Sequence, residues 1–231
     1  MSNYNMKIYD MALTPSNDLL LVTGGSRLQQ ISGSSGQITD SVYSVDPLTP
    51  TAVHVTSDYK VIVGARSSSR MVVIRMNKKG KHKKTYKHDR NKQPIFTYVL
   101  NITNTTNGTI FVVDELSDDW RGRVVVLGQD GDVINTYTGH PRINSDDKPF
   151  KPKCVVTTPL DNIIVTDLDT HTLYILNSVG HLITYYNTDN IGILHSWSLS
   201  FTTSGQLYIG CTTPVGSTDN AKLYEIDIPQ I

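Results

Sequence analysis

The sequence predicts an all-β fold, a β-propeller of four-stranded antiparallel blades, on three observations. First, short apolar runs rich in Val, Ile and Leu are separated by turn residues. Between Pro152 and Tyr186 four such runs are divided by Pro159–Asn162, Asp167–His171 and Asn177–Gly180, the pattern of an antiparallel meander. Second, the unit recurs. Second strands open at Leu20, Val61, Ile110, Ile163 and Leu207, each after a Ser, Asn, Asp or Gly turn, at spacings of 41, 49, 53 and 44 residues. Third, a later turn recurs in phase at Gly36, Gly80, Asp130-Gly131 and Gly180. A four-stranded sheet cannot bury both its faces alone, and radial repetition at periods in the forties supplies the missing partners. Five repeats leave two ring sizes open: five blades, or six with one missing.

Taken in order, residues 1–231 read as one domain with units at about 9–49, 50–93, 94–151, 152–190 and 191–231. Residues 1–8 are a candidate closing strand. The stretch Ser32 to Pro50 is rich in Ser, Gly, Thr and Asp and reads mostly as loop. In unit two Gly80 makes the turn, residues 81–86 form the outermost strand, and 87–93 cross to an inner strand near Ile95–Leu100. Unit three carries an acidic insertion, Asp114 to Arg123, between its second and third strands. A polar link, Thr138 to Lys151, precedes unit four. Unit five closes with Lys222 to Ile228. No helix-period segment of useful length interrupts the pattern.

Composition narrows the class. A hydrophobic share of 38% with four Phe and two Trp suits many short strands better than a helical core. No apolar run approaches the ~20 residues of a membrane helix. The first residues have no hydrophobic signal core, so a cytoplasmic chain is expected. Cys154 and Cys211 lie in different units and read as reduced, buried thiols. The closely spaced Cys and His of RING or B-box zinc sites are absent.

Two units carry a more specific pattern. Ile110-Phe-Val-Val-Asp114 is followed by Val124-Val-Val-Leu and Gly131-Asp-Val-Ile134. Ile163-Ile-Val-Thr-Asp167 is followed by Leu173-Tyr-Ile-Leu and Gly180-His-Leu-Ile183. Both resemble the NHL repeat of six-bladed propellers, in the style of the C-terminal domains of tripartite-motif (TRIM) proteins. The other units carry Gly24, Ala65 and Cys211 where these carry Asp114 and Asp167. The resemblance implies a non-catalytic interaction scaffold that binds protein or RNA, related to the substrate-recognition modules of TRIM ubiquitin ligases. At Asp114 and Asp167 the first expectation is a carboxylate that accepts backbone N–H groups of the following loop, and the second is metal or substrate binding.

Charge supplies the candidate site. The formal net charge is zero, yet residues 78–92 hold eight Lys and Arg against one Asp, leaving −7 on the rest of the chain. Lys78, Lys79, Lys81, Lys83, Lys84, Lys87, Arg90 and Lys92 are therefore candidate partner-binding residues. Up-and-down connectivity puts 87–93 on the face of the loops between second and third strands, which adds Arg66, Arg70, Arg121 and Arg123. Such a face suits an acidic protein or the phosphates of RNA, and lysines on an outer strand also protect a blade edge. A protein partner is expected first and RNA second, with no membrane and no small-molecule substrate. His171 is a solvated loop residue, and His54, Cys154, His195 and Trp197 fall on inner strands. No catalytic residue, metal site or cofactor is predicted, and the chain is expected not to be an enzyme. The alternative is a metal-dependent lactonase or gluconolactonase-like hydrolase with its site in the central channel.

Overall fold

The structure is a computed structural model and describes residues 6–202, 205–213, 217–218 and 220–227. Five antiparallel sheets follow one another along the chain. The first holds β1 (Asp10–Leu13), β2 (Leu19–Val22), β3 (Arg27–Ile31) and β4 (Ile38–Ser44), and the second β5 (Thr49–Val55), β6 (Val61–Arg66), β7 (Met71–Met76) and β8 (His82–Tyr86). The third holds β9 (Tyr98–Asn104), β10 (Ile110–Glu115), β11 (Gly122–Leu127) and β12 (Val133–Tyr137). The fourth holds β13 (Pro152–Thr157), β14 (Ile163–Asp167), β15 (Thr172–Leu176) and β16 (Leu182–Asn187). The fifth holds β17 (Ser196–Phe201), β18 (Gln206–Cys211) and β19 (Lys222–Asp227), three strands among the described residues. Every sheet keeps chain order, and the fold class is a five-bladed β-propeller. Residues 1–5, part of the candidate closing strand, lie outside the described residues, as does Ile228. Among the described residues no helix is long and apolar enough to cross a membrane.

One turn is repeated in all five sheets. The first hairpin loop is closed by a backbone pair from Thr14, Thr56, Thr105, Thr158 or Thr202 to the residue four places on. At Thr14, Thr56, Thr158 and Thr202 the hydroxyl also accepts that residue's N–H. The residue before it is left-handed each time: Asn17, Tyr59, Gly108, Asp161 and Gly205. A threonine hydroxyl thus stands in for a backbone acceptor and locks the loop.

Middle strands β14 and β15 are buried at every position, whereas outer strands such as β16 alternate. A strand between two neighbours in its sheet and a blade on each face reads as continuous apolar sequence, and an outermost strand needs one apolar face only. That explains β4, which occupies part of the stretch expected to be loop. Its sequence Ile-Thr-Asp-Ser-Val-Tyr-Ser buries only Ser41 and Tyr43 fully, so few apolar residues suffice.

The chain falls into two compact units, Met1–Ile102 and Thr103–Ile231. In the first, Leu20, Val22 and Leu28 pack with Val53, Val61, Val63, Val72 and Ile74. In the second, Ile164, Leu173 and Ile175 pack with Ile193, Leu207 and Ile209. Gly64 of β6 marks a close approach in the first unit, because a Cβ there would stand 2.6 Å from Val99 Cγ1 and 3.0 Å from Thr51 Oγ1. Gly64→Ala is expected to cost about 1–3 kcal/mol in chemical denaturation through overpacking. Val99→Ala in the same chain should return part of that loss, and a fully additive double variant would show that the two residues do not press on each other.

Candidate active site

Glu115 ends β10, and the following loop is wound tightly. Leu116 N–H donates to Arg121 O at 2.7 Å and Trp120 N–H to Ser117 O at 2.9 Å. Trp120 takes φ +68°, a left-handed backbone that is unusual for a bulky residue and tends to mark functional loops. Gly122 then enters β11, its N–H bonded to Phe150 O, so the loop lies against the start of β13.

There the ladder is interrupted. Pro152 pairs with Asp167 and Val155 with Val165, so Lys153 and Cys154 sit in a bulge of β13. In β17, Ser196 pairs with Cys211 and Ser198 with Gly210, which leaves Trp197 bulged in the same way. Bulges re-aim side chains out of the pleat, and these two aim Lys153 and Trp197 at the β10–β11 loop. Lys153 Nζ donates to Glu115 Oε2 at 2.8 Å. It also stands 4.8 Å from the Trp120 ring centre and 5.2 Å from that of Trp197. The two indoles meet edge to face, 6.3 Å between centroids. The lysine side chain is 2% exposed, whereas Glu115 keeps 20%. Trp120 and Trp197 are 41% and 43% exposed. A desolvated ammonium needs a partner, and here a carboxylate and two aromatic faces supply it. Of the ion pair, the carboxylate is the member that reaches solvent.

The same end of these blades holds further polar groups. Lys151 pairs with Asp169 at 2.7 Å and Arg121 with Asp119 at 3.6 Å. His171 and His195, both with positive φ, stack edge to face at 4.7 Å. His195 N–H donates to His171 Nδ1 at 3.2 Å. That bond suits a neutral His171, and burial, then the neighbouring His195, push its pKa down. Asp167, fully buried, accepts the Lys151 N–H and the Asn144 amide, and burial raises its pKa. It fastens the incoming link, close to the turn-shaping role expected of it. Asp114, also fully buried, pairs with Arg123 at 2.9 Å across the β10–β11 ladder. Both cysteines are free and buried. Among the described residues no three His, Cys, Asp or Glu come together to hold a metal ion.

The expected basic face is divided. Arg66 and Arg70 line one cleft with Lys87 and His88, all in the first unit. Lys78, Lys79 and Lys81 sit at the β7–β8 turn, the opposite end of a strand that pairs Met76 with His82 and Val73 with Tyr86. Lys83 is exposed on β8 itself, while half-buried Lys84 lies over the Tyr86 ring at 5.4 Å. Arg90 and Lys92 are at the tip of the loop after β8. Arg121 and Arg123 belong to the second unit, each beside a carboxylate. Contiguity in sequence does not survive folding, because a five-residue strand separates its ends by ~16 Å. Neither Lys153 nor Glu115 stood among the candidate site residues, although Glu115 lies in the acidic insertion. They are 38 residues apart, and a bulge hides which way a residue points.

No family model matches the chain, and no curated relative matches it. Among solved structures it is similar to a protein of unknown function from Bacteroides caccae, at 15% identity and TM-score 0.66, covering 97% of this chain and 79% of that one. It is similar to virginiamycin B lyase from Staphylococcus aureus, at 15% identity and TM-score 0.62, covering 98% and 72%. It is similar to a luciferin-regenerating enzyme, at 11% identity and TM-score 0.65, covering 97% and 79%. At these identities the likeness establishes the propeller fold. A relationship to tripartite-motif proteins is not shown by these likenesses. The expectation that the chain is not an enzyme is corrected here, because two of these three propellers are enzymes and the same scaffold carries catalysis.

Proposed function

We propose that the chain is a propeller enzyme that hydrolyses the C–O bond of an ester or lactone, with Glu115 as general base. The observation that carries this reading is a rim-exposed carboxylate whose second oxygen is fixed by a sealed lysine between two exposed tryptophans. Glu115 Oε2 is committed to Lys153, so Oε1 takes the proton from an attacking water. The hydroxide so formed adds to the carbonyl carbon, the C–O bond to the leaving oxygen breaks, and the proton passes from Glu115 to that oxygen. A lactone gives a hydroxy acid. Lys153 is a positioning residue. The free surfaces of Trp120 and Trp197 offer an apolar platform for a ring or acyl group, as small-molecule sites commonly do. The lyase and the luciferin-regenerating enzyme among the similar structures support catalysis on this scaffold.

Trp120 and Trp197 are the chain's only two tryptophans, so their emission reads ligand binding at this place without a label. Across a panel of lactones and aryl esters followed by proton release, Glu115→Gln is expected to lower kcat/KM by about 100-fold or more. The emission titration should move by less than about threefold in Kd, or roughly 0.7 kcal/mol. Turnover should persist in a chelator. Absence of turnover by the unaltered chain, full activity in Glu115→Gln, or activity abolished by chelation would each overturn the assignment.

A further inference from the structure

The cleft that gathers Arg66, Arg70, Lys87 and His88 has no part in this chemistry, and its composition is unusual. It encloses about 370 Å³, is bordered by Tyr98 and by the three serines of the β6–β7 loop, and has no acidic residue in its lining. Among the described residues no carboxylate forms an ion pair with Arg66, Arg70 or Lys87. The nearest carboxylate in sequence, Asp89, is committed elsewhere: its Oδ1 accepts the N–H groups of Asn91 and Gln93 at 2.9 and 2.8 Å. Both walls are built ahead of any ligand. Ser67 N–H bonds to Arg70 O at 2.9 Å. The opposite wall is held by a bridge from His88 to Pro94 and by Ile95 N–H on Lys87 O. The Arg66 guanidinium lies over the Tyr98 ring at 5.5 Å, which orients its planar donor fork while leaving the edge free to bond.

We propose that this cleft binds an organic phosphate of small size, its phosphoryl oxygens held by Arg66, Arg70 and Lys87 and by the serine hydroxyls. Arginine forks match phosphate oxygens in pairs, and three cations without a carboxylate favour a dianion over a monoanion. The concave shape fits a compact ligand. A nucleic-acid strand would need a basic track, and the lysines of the β7–β8 turn that could extend one stand at the far end of the blade.

The test is calorimetric titration of the full chain with inorganic pyrophosphate at low salt, then with a nucleoside monophosphate and a short oligouridylate. Pyrophosphate is expected to bind, more weakly as chloride is added. Arg66→Met and Arg70→Met, both at exposed positions, should each weaken it about tenfold, with the near-ultraviolet circular dichroism unchanged. Lys79→Ser/Lys81→Ser should stay within about twofold. No pyrophosphate binding at low salt overturns the proposal, as does an equal loss in the Lys79/Lys81 variant. Oligouridylate that binds tighter than pyrophosphate and needs both sets of residues assigns the surface to nucleic acid instead.

Discussion

Glu115→Ala is expected to cost about 3–5 kcal/mol, lowering the thermal midpoint by roughly 6–20 °C in a chain of this length. Lys153→Met should cost less than about 1.5 kcal/mol. The asymmetry follows from which partner reaches water. Removing the carboxylate strands an ammonium that is 2% exposed, and no other oxygen is bonded to Nζ among the described residues. Removing the ammonium leaves Glu115 with 20% exposure, enough to be hydrated from the rim. Methionine also refills the notch between Trp120 and Trp197 with soft apolar volume. The double variant should therefore be much more stable than Glu115→Ala alone, a coupling of about 2 kcal/mol or more. Chemical denaturation followed by tryptophan emission reads all three variants at the place of the change. Equal costs for the two single variants, or a double variant that is simply additive, would mean that the lysine is neither sealed nor dependent on Glu115.

What could be seen in the sequence and what could not divide along a physical line. Turn chemistry is local, so the five hairpins were legible from Ser, Asn, Asp and Gly before the second strands, although the repeats alone left five blades and an incomplete six open. The threonine that closes each first hairpin was equally present, at Thr14, Thr56, Thr105, Thr158 and Thr202. It stood unread because a threonine before a turn also looks like ordinary strand composition. Strand β4 was missed because an outermost strand buries so little. The site lay beyond reach for a different reason. Alternation tells which face a strand residue takes only while the ladder is regular, and Lys153 and Trp197 sit where it is not. Glu115 reaches in from the end of a second strand, whereas the residues singled out for the channel lay on inner strands. The basic run misled through its contiguity. A hairpin sends its turn to one end of a blade and its exit to the other, so eight cations that adjoin in sequence cannot form one patch.

Asp10→Asn is expected to stabilise the chain above neutral pH and to leave it unchanged near pH 4. Asp10 pairs with Val22 across the first ladder, four residues before the turn threonine Thr14, the register at which the second and fifth sheets place Ala52 and Ser198. A carboxyl therefore occupies a position that these blades give to small, uncharged side chains. Its Oδ2 accepts the Val53 N–H at 2.7 Å and its Oδ1 the Met11 N–H at 2.9 Å. Burial nevertheless outweighs both bonds and raises its pKa from the usual 3.8 to about 7. Because the folded value lies above the unfolded one, the protonated acid is the form the fold favours. Its stability is fully present below about pH 4, is lost as pH rises towards 7, and stays lost above that. A shift of this size corresponds to roughly 4 kcal/mol. The residue as a whole keeps some contact with water, which screens the effect, so about 2 kcal/mol is expected in practice. Asparagine retains an acceptor for the Val53 N–H and never ionises. Thermal midpoints of the two proteins should coincide near pH 4 and separate by roughly 4–8 °C at pH 8, the variant higher. Other groups, such as Asp58 with its pKa lowered chiefly by Lys60 and Asp167 with its pKa raised by burial, titrate alike in both chains and cancel in the difference. Parallel midpoint curves from pH 4 to pH 8 would place Asp10 in contact with solvent and remove the cost assigned to its charge.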